Sequence, residues 1–198
     1  MTLINPIPWR RVRILWPLVT IVALMLLLGH ASFEVMGGIR AHVNAESARS
    51  KALAYAVGDL EQYAQTRNEN PYGRFVAEMA AIFALRDARV ELEKARPDTG
   101  IAQRRLRDAR IPADDVQSMV DLYRRYRGVG FMPTTVALWG QSDAQVAELA
   151  TLGQALHSMI SGGKAPAANL QPTLVRIRAL DRKLAALGEA ATATLQEA

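Results

Sequence analysis

The sequence predicts an all-α protein: an N-terminal transmembrane helix followed by an up-and-down helical bundle of four long helices and one or two short ones. Three observations carry that prediction. Ile14 to Phe33, ILWPLVTIVALMLLLGHASF, runs for 20 residues without a charge. Beyond it, apolar residues recur at steps of three and four, the period of a helix face, and no stretch alternates as a strand would. Finally, Pro, Gly and Asn cluster at a few narrow points and cut the remainder into helix-length pieces.

The apolar run comes first. At about 1.5 Å per residue it spans roughly 30 Å, the thickness of a bilayer core. Its flank WRRVR carries Arg10, Arg11 and Arg13, and these precede every acid in the chain, the first being Glu34. The positive-inside rule then keeps residues 1–13 in the cytoplasm, makes 14–33 a signal anchor and exports 34–198. Trp9 and Trp16 suit the cytoplasmic interface, where an indole is half wet. The competing reading is a cleaved signal peptide ending at Gly29-His30-Ala31. It fits less well, because the run is long and Val35 to Tyr63 reads as helix continuing out of the membrane.

In the exported part, Ala45, Ala48, Ala52, Ala56, Leu60 and Tyr63 mark one face of the first helix. TRNENPYG (66–73) breaks it. A second helix over about 72–94 has Phe75, Met79, Ile82, Phe83 and Leu92 as its inner stripe, and Pro97, Asp98 and Gly100 end it. IAQRRLRDAR (101–110) predicts a helix of two to three turns before Pro112. DDVQSMVDLYRRYR (114–127) is the next helix, with Val116, Met119, Val120, Tyr123 and Tyr126 as its stripe, stopped by Gly128 and Gly130. Over 133–161, Val136, Trp139, Val146, Leu149, Gly153, Leu156 and Ile160 keep helical steps. SGGKAPAAN (161–169) is a loop of small residues. The last helix carries Leu170, Leu174, Ile177, Leu180, Leu184, Leu187 and Ala191, close to a heptad seam that packs within the bundle or against another subunit. That seam reaches Ala198 without a Gly or Pro stop, so a continuation into a second membrane span is expected.

Composition narrows the chemistry. The formal charge is +5, but without the three N-terminal arginines 21 basic residues face 19 acidic ones, so nucleic-acid binding is not expected. With no cysteine, disulfides, thiolate metal sites and thiol nucleophiles are excluded. His30, His42 and His157 have no metal-ligand spacing and read as surface or interface residues. No GxSxG, P-loop or GxGxxG is present. Neither a cofactor, a metal nor enzymatic activity is expected of this chain.

Ligand binding by the bundle is the open possibility. Tyr123, Arg124, Tyr126, Arg127 and Trp139 are the candidate binding residues: guanidinium forks suit carboxylates and phosphates, and aromatic rings line apolar pockets. Arg125 and the basic turn Arg104, Arg105, Arg107 stand near them in sequence. Helix chemistry explains the same charges without a ligand. Asp114 and Asp115 favour the positive end of the helix dipole, and arginines 124, 125 and 127 the negative end.

NPYGRFVAEM (70–79) and IPADDVQSMVDLYRRYRGVGFMPTTVALWGQSDAQVAEL (111–149) resemble the all-helical periplasmic sensor regions of proteobacterial transmembrane signalling receptors, of the histidine kinase, diguanylate cyclase and chemoreceptor type. The chain departs from such receptors in having no second span and no kinase or cyclase residues. The resemblance implies an input domain in the bacterial inner membrane, single-pass in this chain, with its bulk in the periplasm. It would be a homodimer reading an unknown small ligand or a periplasmic partner protein. The alternative is a single-span scaffold or assembly subunit of an envelope complex.

Overall fold

The computed structural model describes residues 9–163 and 166–196. Most of the predicted cytoplasmic tail, Lys164 and Ala165 of the small-residue loop, and the last two residues lie outside it. The described residues form six helices and no strand: α1 (Trp9–Thr66), α2 (Glu69–Glu93), α3 (Thr99–Asp108), α4 (Ala113–Tyr126), α5 (Met132–Ser161) and α6 (Ala167–Gln196). The chain divides after Gly37 into two compact units.

The first unit holds the apolar run. It is helical and exposes Trp16, Leu18, Ile21, Leu24, Leu27 and Phe33 on every side, so no stripe distinguishes one face from another. A helix apolar all round is covered either by the core of a protein or by a bilayer. By length and composition α1 holds the one membrane-span candidate among the described residues. Its few polar groups are satisfied locally, Thr20 Oγ1 donating to the Trp16 carbonyl and Ser32 Oγ to that of Leu28, each at 2.9 Å.

The second unit is built on one core. Leu53, Ala56, Leu60 and Tyr63 of α1 meet Phe75, Met79 and Ile82 of α2, Leu149 and Leu156 of α5, and Leu174, Ile177 and Leu184 of α6. The α6 seam therefore packs into this chain's own core, and Leu184 is 2% exposed. Gly153 of α5 is what allows α2 so close: a Cβ there would stand 2.4 Å from Phe75 Cζ. Helices α3 and α4 pack against α2. Gly38, the first residue of this unit, lies so near α4 that a Cβ would sit 2.8 Å from Leu122 Cβ.

The breaks are narrower than the sequence suggests. Only Arg67 and Asn68 separate α1 from α2, because Pro71 falls in the first turn of α2, where its missing N–H costs nothing. Asn68 Oδ1 caps that turn by accepting from Asn70 N at 2.9 Å, and Asp98 Oδ1 caps α3 by accepting from Ile101 N at 3.0 Å. The acids and arginines of α4 stand in its first and last turns, as the dipole favours. One stripe residue is misplaced: Ala48 is exposed, and the face one residue later, Glu46 and Arg49, is buried.

Candidate functional site

A face of α1 that ought to be apolar carries three polar residues. His42, Glu46 and Arg49 step by four and three, continue in register to Leu53, and are 3%, 2% and 8% exposed. Charges are rarely buried unless paired, and these are. Arg49 Nη2 donates to Glu46 Oε1 at 2.7 Å and its Nε to Oε2 at 3.0 Å. Trp139 of α5 donates its indole N–H to Glu46 Oε2 at 2.9 Å. Ser142 Oγ lies 3.5 Å from Arg49 Nη1 and donates to the Trp139 carbonyl. On α6, a Cβ at Gly188 would approach Glu46 Oε1 to 3.2 Å and Ser50 Oγ to 3.0 Å. Glycine at that position lets α6 lie directly on the ion pair.

Above this pair is a cavity of about 70 Å³, edged by His42, Glu46 and Arg49 of α1, Arg89 of α2, Tyr123 of α4 and Trp139 of α5. A single buried water needs about 10–15 Å³ and a benzene ring about 150 Å³. The enclosed part therefore holds several waters, or part of a small organic molecule whose remainder lies in the open mouth. Arg86, Ser142 and Asp143 complete its polar edge, and Ala45, Ile82, Leu92, Leu106, Met119 and Val146 form its apolar wall. A mostly apolar concavity with a few convergent polar groups is the usual form of a small-molecule site.

The His42 ring stacks on Trp139, centroids 5.9 Å apart and planes 14° apart. Its Nδ1 lies 2.9 Å from the Gly38 carbonyl, an acceptor, so Nδ1 carries the hydrogen. Burial pushes the imidazole below its ordinary range, against the smaller opposing effect of that hydrogen bond. At the far wall, Arg89 bridges α2 to α5 by pairing with both Glu93 and Asp143. Tyr123 donates to Glu93 Oε1 at 3.4 Å; burial, then the Glu93 charge, pushes its hydroxyl well above the usual phenol range.

Of the residues expected from the sequence, the structure brings Tyr123 and Trp139 to this cavity. Arg124 is exposed and Tyr126 half-buried, and neither edges it. Arg127 is exposed and closes a helix end, donating to the carbonyls of Leu92 at 3.2 Å and Lys94 at 3.4 Å. The basic turn contributes Leu106 rather than its arginines. His42 is not the surface residue its isolation in sequence suggests. It was missed, with Glu46 and Arg49, because an i, i+3 acid–base pair ordinarily marks a solvated face. The available signal was register: positions 42, 46 and 49 fall on the same face as Leu53, Ala56 and Leu60.

A second polar cluster ties the other end of the core. Glu69 accepts from the Tyr63 hydroxyl at 2.9 Å and lies 3.0 Å from His157 Nε2. His157 stacks on Tyr72 with centroids 4.0 Å apart. Burial, and then Glu69, pushes the Tyr63 hydroxyl up to about 12. Its role is to join α1, α2 and α5. Among the described residues no three of His, Asp and Glu are grouped to hold a metal ion.

No protein-family model, curated protein or solved structure matches the chain. The functional reading therefore rests on the geometry.

Proposed function

We propose that this chain is the extracytoplasmic input region of a membrane-anchored bacterial signalling receptor, and that its cavity is the sensing site. The observation that carries this is the placement of the buried Glu46–Arg49 pair. It sits on α1, the helix that also holds the apolar run, reaches α5 through Trp139 and Ser142, and lies against α6 at Gly188. An occupant of the cavity therefore meets the same side chains that fix how α1, α5 and α6 pack.

In this reading α1, α2, α5 and α6 form an up-and-down four-helix bundle, with α3 and α4 as a side pair that completes the cavity. The arginines at 10, 11 and 13 keep the N-terminus in the cytoplasm and put the bundle in the periplasm. A ligand with different affinity for two packings of the bundle shifts their populations, and α1 carries the shift to the membrane as a small piston, tilt or rotation. Two copies are the expected state of a receptor that signals across a symmetric interface. Because Leu184 lies in the chain's own core, that interface uses surfaces other than the α6 seam.

The test is a thermal-shift screen of the full chain in lipid nanodiscs against small acids, amines, alcohols and aromatics. Ala45→Phe, which fills the cavity, is the control. The receptor reading expects compounds that raise Tm for the unaltered chain and not for the filled variant. A scaffold subunit predicts shifts that are absent or identical in the two.

A further inference from the structure

The chemistry of the cavity restricts what can occupy it. Each charged side chain at its edge already has an opposite charge beside it: Glu46 with Arg49, Arg89 with Asp143, and Arg86 with Asp87. An ionic ligand would have to break one of these pairs or enter a mostly apolar space uncompensated, and burying an unpaired charge is costly. The Trp139 N–H is committed to Glu46, and Ser142 donates to the Trp139 carbonyl.

His42 offers a further acceptor at the cavity edge. With its hydrogen on Nδ1, the neutral His42 ring presents Nε2 as an acceptor, and Nε2 has no partner among the described residues although His42 is 3% exposed and edges the cavity. Gln145 Oε1 is the one fully enclosed side-chain polar atom without a partner among the described residues, so Nε2 is reached from the cavity, and a donor from a ligand takes the place of water there. Burial also disfavours the imidazolium, so Nε2 stays an acceptor at neutral pH. The apolar wall of Ala45, Ile82, Leu92, Met119 and Val146 takes the rest of the molecule.

We propose that the cavity binds a small, neutral, largely apolar molecule bearing one O–H or N–H donor, of which a phenol is the type, with that donor on His42 Nε2. The proposal rests on the receptor reading only in taking the cavity as a ligand site.

The experiment uses the full chain in nanodiscs with Trp9→Phe and Trp16→Phe, leaving Trp139 as the one tryptophan of the three. The Trp139 indole N–H resonance is followed on titration with phenol, toluene, benzoate and benzylamine at matched free aqueous concentration, with protein-free nanodiscs as blank. Phenol is expected to move the resonance saturably, and toluene, its isostere without a donor, to bind about tenfold more weakly. His42→Phe keeps the stack on Trp139 and should reduce phenol to the toluene level. The phenol–toluene comparison on the unaltered His42 stands even if that variant does not fold. Toluene binding as tightly as phenol overturns the donor requirement, and benzoate or benzylamine binding more tightly overturns neutrality; either leaves the receptor reading in place. If no probe moves the resonance, Nε2 is met by water alone, and both the proposal and the sensing cavity fail.

Discussion

The two ends of the second unit use the same helices for opposite purposes. Around Leu60, Tyr63, Phe75 and Gly153 the helices are in contact to the limit of sterics, and the Phe75 ring occupies the place of a missing Cβ. Around His42, Glu46 and Trp139 the same α1, α2 and α5 stand apart, with charges in the wall and a hollow between them. Close packing has one good arrangement, since every methyl displaced is felt. A hollow leaves the side chains of its wall without contacts on one side, and an occupant supplies them. In the proposed reading the packed end fixes the fold, and the hollow end is where an occupant alters it.

The largest effect expected from breaking this contrast is at the hollow end. Glu46→Ala leaves Arg49 buried without its carboxylate and should cost about 3–5 kcal/mol by chemical denaturation. Replacing both, Glu46→Leu with Arg49→Met, should restore most of that stability while abolishing any ligand-induced change. At the packed end Leu60→Ala, at a 0% exposed position, should cost about 2–5 kcal/mol as a cavity opens. Gly153→Ala should cost about 1–3 kcal/mol by forcing Phe75 aside.

A pH series separates the two ends. His42 binds its proton less readily folded than unfolded, so between the ordinary imidazole range and its depressed folded value the unfolded chain holds more protons. Stability should therefore fall as pH drops below about 6.5, and the slope should flatten in His42→Phe. The groups facing His42 are the Gly38 carbonyl and Trp139, with the paired Glu46 one turn along α1. Tyr63 behaves oppositely: raised to about 12, it keeps its proton folded while the unfolded chain loses it, so stability falls as pH rises above its ordinary value near 10. The smallest effect is at the helix end. Arg127→Ala should cost about 1 kcal/mol, since it removes one part-buried and one exposed bond to carbonyls, both at 3.2 Å or longer.

Helices were legible in the sequence wherever an apolar stripe and a capping residue agreed. Asp98, Pro112 and the Asp114–Arg127 polarity set α3 and α4 close to where they lie. The run TRNENPYG was less readable, because a proline in a first turn and a proline after a helix look alike in sequence. For the site, Tyr123 and Trp139 could be picked out because aromatics close in sequence are few. The ion pair could not, since burial depends on what α5 and α6 bring to that face, and Gly188 and Trp139 lie 142 and 93 residues from Glu46. The arginines 124 and 127 drew attention by their charge, and helix-end chemistry is where the structure puts them.

The central claim is that filling the cavity changes how α1 and α6 pack. Cysteines at the exposed positions Ser47 and Glu189 would be unique in this chain, which has none. Spin labels there, in the full chain in nanodiscs, report the α1–α6 distance distribution directly. The account predicts that saturating phenol shifts that distribution and that His42→Phe abolishes the shift. Phenol bound at Trp139 with an unchanged distribution would contradict it.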